Sequence, residues 1–102
     1  MIARMWRGLT LASKADDYFD YLEKTGLKDY RSIPGNQGVY VFRRLKEGAA
    51  EFLLVSFWDS VESIKQFAGD EHEKARYYPE DKDYLLELAP LVDHFEILAK
   101  PQ

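Results

Sequence analysis

The sequence predicts an α+β domain: a four-stranded antiparallel sheet with helices on one face, in the order β-α-β-β-α-β. Three observations predict it. Apolar residues recur at helical spacing in Ala15, Tyr18, Phe19 and Leu22, and again in Val61, Ile64, Phe67 and Ala68. Strand-like runs cover 2–9, 38–45, 51–58 and 92–98. Between the second and third of these, Lys46-Glu47-Gly48 has the chemistry of a tight hairpin, so those two strands are antiparallel neighbours.

Each element follows from its residues. Ile2 to Leu9 forms the first strand. Ser13 is placed to cap helix one, with Asp16 three residues on as a variant capping box, a feature worth about 1 kcal/mol. Asp16, Asp17, Asp20, Glu23 and Lys24 take the wet face, with Asp20 and Lys24 an i,i+4 pair, and Gly26 is placed to end the helix in a left-handed conformation. A polar connection then reaches Ile33-Pro34-Gly35-Asn36, where Pro fixes φ and Gly and Asn tolerate positive φ. Asp59 or Ser60 opens helix two, with Glu62 completing a capping box after Asp59, and Gly69 closes it. Asp70 to Tyr78 reads as a short helical piece ended by Pro79. Asp81 to Leu88 reads as another, with Tyr84, Leu85 and Leu88 on one side and Pro90 barring continuation. Val92 to Leu98 is the last strand. The order is the ferredoxin-like split βαβ arrangement.

The third strand is apolar on both faces. Phe52, Leu54 and Trp58 share one side with Ser56, while Leu53, Val55 and Phe57 share the other. A half-buried strand would alternate apolar with polar. Helices can cover only one side of so small a sheet, and too few residues remain to cover the second. A second copy of the chain is the economical cover, because each large apolar side chain left wet forgoes about 1.5–3 kcal/mol.

Size and composition narrow the function. The 102 residues suit one domain, 1–102, and an apolar content of 46% supports a real core rather than disorder. With a net charge of −4 and no basic block longer than Arg43-Arg44, nucleic acid is not an expected partner. No run approaches the ~20 apolar residues of a membrane span. Arg4 and Arg7 interrupt any leader-like apolar stretch, and no small-residue cleavage site follows. The absence of cysteine removes disulfides, thiolate nucleophiles and Cys-ligated metals; the cytoplasm is the expected compartment. No His-x-x-x-His supplies a metal site, and Gly35-Asn36-Gln37-Gly38 lacks the spacing of a nucleotide motif, so neither metal nor cofactor is expected.

Aromatic residues make up 15% of the chain, enough to wall a ligand cavity as well as fill a core. The series Ser56-Phe57-Trp58-Asp59-Ser60, Phe67-Ala68-Gly69, Ala75-Arg76-Tyr77-Tyr78-Pro79-Glu80-Asp81 and Val92-Asp93-His94-Phe95-Glu96 resembles the antibiotic-biosynthesis-monooxygenase-like family of dimeric α+β barrels. The resemblance covers nearly the whole chain. It implies two sheets packed back to back in a homodimer, with a pocket in each subunit between sheet and helices. It also implies a small aromatic substrate and cofactor-independent oxygenation, with a non-catalytic binding dimer as the alternative and haem degradation as a third, less favoured reading. The family's haem-degrading branch uses an Asn on strand one, a Trp late in helix two and a His on the next helix. Here strand one offers Arg4, Trp6 and Arg7, the helix-two position is Phe67, and the His position falls near Tyr77, with His72 about a turn earlier.

Candidate site residues follow. His94 lies two residues before Glu96 on the last strand, so the two share a face; they could serve as base and orienter, or His94 could simply be hydrogen-bonded at a sheet edge. Phe95 and Ile97 take the opposite face, which is expected to meet the helices. His72 and Arg76 are i,i+4 on the expected short helix, and either roof the pocket, where they could bind an anionic or phenolic oxygen with His72 a candidate catalytic base beside His94, or belong to a solvated face. Tyr77 and Tyr78 would diverge by about 100° around that helix, one inward and one toward the loop, with Tyr77 a candidate catalytic phenol. Trp58, Trp6, Tyr40, Phe67, Arg76 and Tyr78 are the candidate substrate-binding side chains, Asp81 reads as a helix cap, and Arg4 and Arg7 point to opposite faces.

Overall fold

A computed structural model describes residues 1–101. Four strands, β1 (Ile2–Leu11), β2 (Asn36–Lys46), β3 (Ala49–Trp58) and β4 (Asp93–Glu96), form one antiparallel sheet in the order β2-β3-β1-β4. This is the predicted ferredoxin-like topology. Helices α1 (Ala15–Lys24), α2 (Gly26–Ser32), α3 (Val61–Ala68) and the single turn α4 (Asp81–Tyr84) cover one face. The thin dimension of 21 Å fits one helical layer on one sheet.

Sequence chemistry explains the joints. Glu47 and Gly48 both take positive φ, 54° and 79°, giving the mirror-image turn that matches strand twist in a two-residue hairpin. The Ser60 side chain accepts from the Ser63 N–H and caps α3, and Gly69 at φ 88° ends that helix. The front face of β3, made by Ala50, Phe52, Leu54, Ser56 and Trp58, is buried under the helices with Tyr18, Leu22, Leu27, Ile64 and Phe67. Leu53, Val55 and Phe57 on the rear are only partly covered, by their own neighbours in the sheet. Among the described residues, no helix is long and apolar enough to cross a membrane.

Several expectations are corrected. Ser13 sits in a 3-10 turn over Ala12–Lys14 and caps nothing; α1 starts after Lys14 without a side-chain cap. Asp20 and Lys24 form no ion pair; Glu23 instead pairs with Arg31, at 2.9 Å. Gly26 opens α2 rather than ending α1, and the supposed polar connection is this helix, anchored by buried Leu27 and Tyr30. The segment 70–78 is not helical. Its amides have better partners elsewhere: Ala75 N–H donates to Pro90 O at 2.9 Å, Val92 N–H donates to Glu73 O at 2.9 Å, and Tyr78 N–H donates to the Asp81 carboxylate at 2.6 Å. The 81–88 helix stops after one turn because Leu86 N–H donates to Leu9 O at 2.8 Å, drawing the chain to the end of β1. The last strand is shorter than expected, four residues.

Candidate functional site

A cavity lies between sheet and helices. Its floor comes from Arg4, Trp6 and Leu54, its walls from Tyr18, Leu22, Gly26, Tyr30 and Phe67, and its roof from Arg76, Tyr77, Tyr78 and Asp81. It leaves about 30 Å³ for the centre of a water-sized sphere, room for a very small group and not for a ring.

Strand alternation builds the floor. Arg4, Trp6 and Gly8 occupy successive front-face positions of β1. The Trp6 ring is folded along its own strand over Gly8, where a Cβ would collide with it. Its indole N–H donates to Tyr77 Oη at 3.1 Å, and Tyr77 donates in turn to Ala89 O at 2.6 Å.

Arg4 is the unusual group. It is 2% exposed, and among the described residues no carboxylate pairs with it. Its Nη1 donates to Tyr30 Oη at 3.4 Å and its Nη2 to Lys74 O at 3.1 Å, while its Nε is buried with no partner. Burial lowers its pKa, and the Tyr30 phenol opposes this. A buried unpaired cation is costly, roughly several kcal/mol. Phe67 offsets part of that cost: the guanidinium carbons of Arg4 and Arg76 lie 5.4 and 5.0 Å from its ring centroid.

The roof is tied to α2 through Asp29. Arg76 Nη2 approaches its carboxylate at 3.3 Å, Tyr78 Oη donates to the same oxygen, and Arg76 Nη1 donates to Phe67 O at 2.8 Å. Asp81 is buried, which raises its pKa; the Tyr78 N–H pulls the other way. Asp81 therefore receives a backbone amide under the roof, with Glu80 as the residue flanking α4, so it is not the cap expected of it. Burial raises the Tyr77 and Tyr78 phenols, so both keep their protons at neutral pH.

Of the sequence candidates, Trp6, Phe67, Arg76, Tyr77 and Tyr78 meet in this lining. Trp58 lies behind it, 0% exposed, donating to Ser56 Oγ at 2.8 Å and packing on Tyr30 and Phe67. Tyr40 is 62% exposed on the rear face beside Phe42 and Phe57. His72 and His94 stand outside the lining with their ring centroids 5.2 Å apart. His94 is directly opposite Arg4 in the β1–β4 pairing, so it faces the helices and Phe95 faces the rear, the reverse of the sequence expectation. Its Nε2 is buried without a partner, and burial, then Arg4, then His72 lower its pKa. The irregular course of 70–78 removes the helical argument for pairing His72 with Arg76 and for splaying Tyr77 from Tyr78. Sequence reasoning missed Tyr30, Tyr18 and Asp81 as lining groups. The sequence signals Tyr30 only as the i,i+3 partner of Leu27 on α2.

The chain matches no protein-family model and no curated protein. Solved structures do match it, over 96% or more of their length among those compared. An antibiotic biosynthesis monooxygenase is similar with a TM-score of 0.69 and 15% identity, across 97% of this chain and all of that one. The haem-degrader MhuD of Mycobacterium tuberculosis, with two haems bound in its active site, is similar with a TM-score of 0.61 and 16% identity, across the full length of both chains. An uncharacterized NIPSNAP domain protein from Burkholderia xenovorans is similar at 0.60 and 15%, again across both full lengths. The fold is therefore that of the antibiotic-biosynthesis-monooxygenase-like proteins.

The lining does not suit haem. It contains no imidazole, and its roof phenols are engaged, Tyr77 with Ala89 and Tyr78 with Asp29.

Proposed function

We propose that the protein is a cofactor-independent monooxygenase acting on a small ionisable aromatic substrate held between sheet and helices. The observation that carries this is the cavity itself: rings of Trp6, Tyr18, Tyr30, Phe67, Tyr77 and Tyr78 around a cationic floor, in a fold shared with a monooxygenase. A ring is larger than the present space, so it enters only when the roof lifts.

The chemistry needs a base and an anion-stabilising group. Tyr77, with its raised pKa, is a proton donor at neutral pH and not the base. Burial and then Arg4 lower the His94 pKa and favour the neutral imidazole; His94 stands outside the closed lining and is the proposed acceptor once the roof lifts, with His72 packed on its ring. The substrate loses a proton at an activated CH₂, and the carbanion passes one electron to dioxygen. Recombination forms a C–O bond, giving a hydroperoxide after protonation. Loss of the second C–H proton with O–O cleavage leaves a carbonyl and releases water.

A second reading, a non-catalytic binding dimer, is favoured by the position of both imidazoles outside the lining. An oxygen electrode with a panel of anthrones and quinols separates the two. We expect protein-dependent uptake that falls about 100-fold or more in His94→Ala. Ligand binding without uptake selects the binding dimer, and no uptake from folded protein sinks the oxygenase.

The homodimer belongs to the same proposal. Tyr40 at 62%, Phe42 at 51% and Phe95 at 55% exposure lie with Leu53, Val55 and Phe57 on one sheet face, and a second copy would cover them.

A further inference from the structure

We infer that the cavity selects its aromatic ligand as an oxyanion, seated against the Nε–H of Arg4. The inference rests on the cavity being the ligand site, and it names the substrate class.

Arg4 is buried under the helices, yet the acceptors of its two Nη atoms, Tyr30 Oη and Lys74 O, are neutral. A guanidinium has a flat fork of five N–H donors, and here, among the described residues, the Nε–H has no acceptor; the closed cavity also shields that nitrogen, so a ligand reaches it only once the roof lifts. The neighbouring cation, Arg76, is already balanced by Asp29. Arg4 is therefore the group whose charge the fold leaves open, and it stands in the cavity floor. Asp81 is the single acid of the lining; it is committed to the Tyr78 N–H in the roof and makes no ion pair with Arg4.

A ligand oxyanion would supply what the site lacks. It would accept the Nε–H in a charge-assisted bond. Its ring, too large for the closed cavity, would enter with the roof lifted and lie among Trp6, Tyr30 and Phe67. A neutral analogue of the same shape would leave the guanidinium uncompensated, and such a site rejects it strongly. The chain's net charge of −4 disfavours loose surface attraction of anions, so binding would report the site.

The test compares benzoate with benzamide, which share shape and differ in charge, without dioxygen chemistry. We expect benzoate to bind about tenfold or more tightly than benzamide, the value of one charge-assisted hydrogen bond. In ¹⁵N-resolved spectra the Arg4 Nε–Hε resonance should move with benzoate and stay with benzamide. Arg4→Met should lose the benzoate preference, and Arg7→Met, on the opposite face, should keep it. Equal affinities, no benzoate binding, or an unmoved Arg4 Hε signal would each overturn the inference, and the spectra need no variant to fold. Benzoate selection without oxygen uptake would leave this inference standing and remove the oxygenase. Uptake with a neutral substrate and no benzoate preference would do the reverse.

Discussion

At the residue scale, the site depends on which way single side chains of β1 and β4 point. Alternation placed Arg4 and Arg7 on opposite faces, and they are: Arg4 is buried, while Arg7 is exposed and pairs with Glu51 at 3.3 Å. The orientation of β4 was not legible. Phe95 and Ile97 look like core residues, but Phe95 pairs with Ala3 on the uncovered face and His94 with Arg4 on the covered one. Apolarity signals burial only when one face is wet, and here both carry apolar groups. The position of His94 has a pH consequence. Its surroundings are Arg4 and His72, which lower its pKa along with burial, and Glu73 and Asp93, which oppose them. A folded-state pKa below the unfolded value of about 6.5 means that unfolding takes up a proton in that window. The stabilising contribution is full above about pH 6.5 and is lost as pH falls toward the folded value. Urea titrations from pH 7.5 to 5 should show wild type losing more stability than His94→Gln; parallel curves would show that His94 does not titrate as described.

At the element scale, the strands and α3 were readable because local signals decide them: hairpin chemistry, capping and period. The segment between Gly69 and Val92 was not. Its charged, Pro-bounded sequence suits short helices, but its backbone pairs across fifteen and nineteen positions, as Ala75 with Pro90 and Val92 with Glu73. Such non-local pairing has no periodicity to read. The roof it forms hangs on the Asp29 carboxylate through Tyr78 and Arg76. Removing the hydroxyl with Tyr78→Phe should cost about 1.5–3 kcal/mol, the worth of a hydrogen bond to a charged group. Amide hydrogen exchange should accelerate across 70–80 while β1 and β3 stay protected. Uniform acceleration would mean that the bond supports the whole fold and not the roof.

At the scale of the whole molecule, the two-faced β3 sets the architecture. Helices cover the front; the rear offers Val55 at its centre, paired with Met5 on one side and Tyr40 on the other. A charge there would be exposed in a single chain and buried between two. Sedimentation should find wild type as a dimer at micromolar concentration and Val55→Glu as a monomer with an unchanged circular dichroism spectrum. A wild-type monomer at that concentration would remove the proposed assembly.

The indole laid over Gly8 has a consequence of its own. The bare backbone there is a berth, and the tryptophan is parked in it. Any larger neighbour would push the ring upward into the hollow, so the capacity of this chamber is fixed by a missing methyl group on the strand beneath as much as by the aromatics around it.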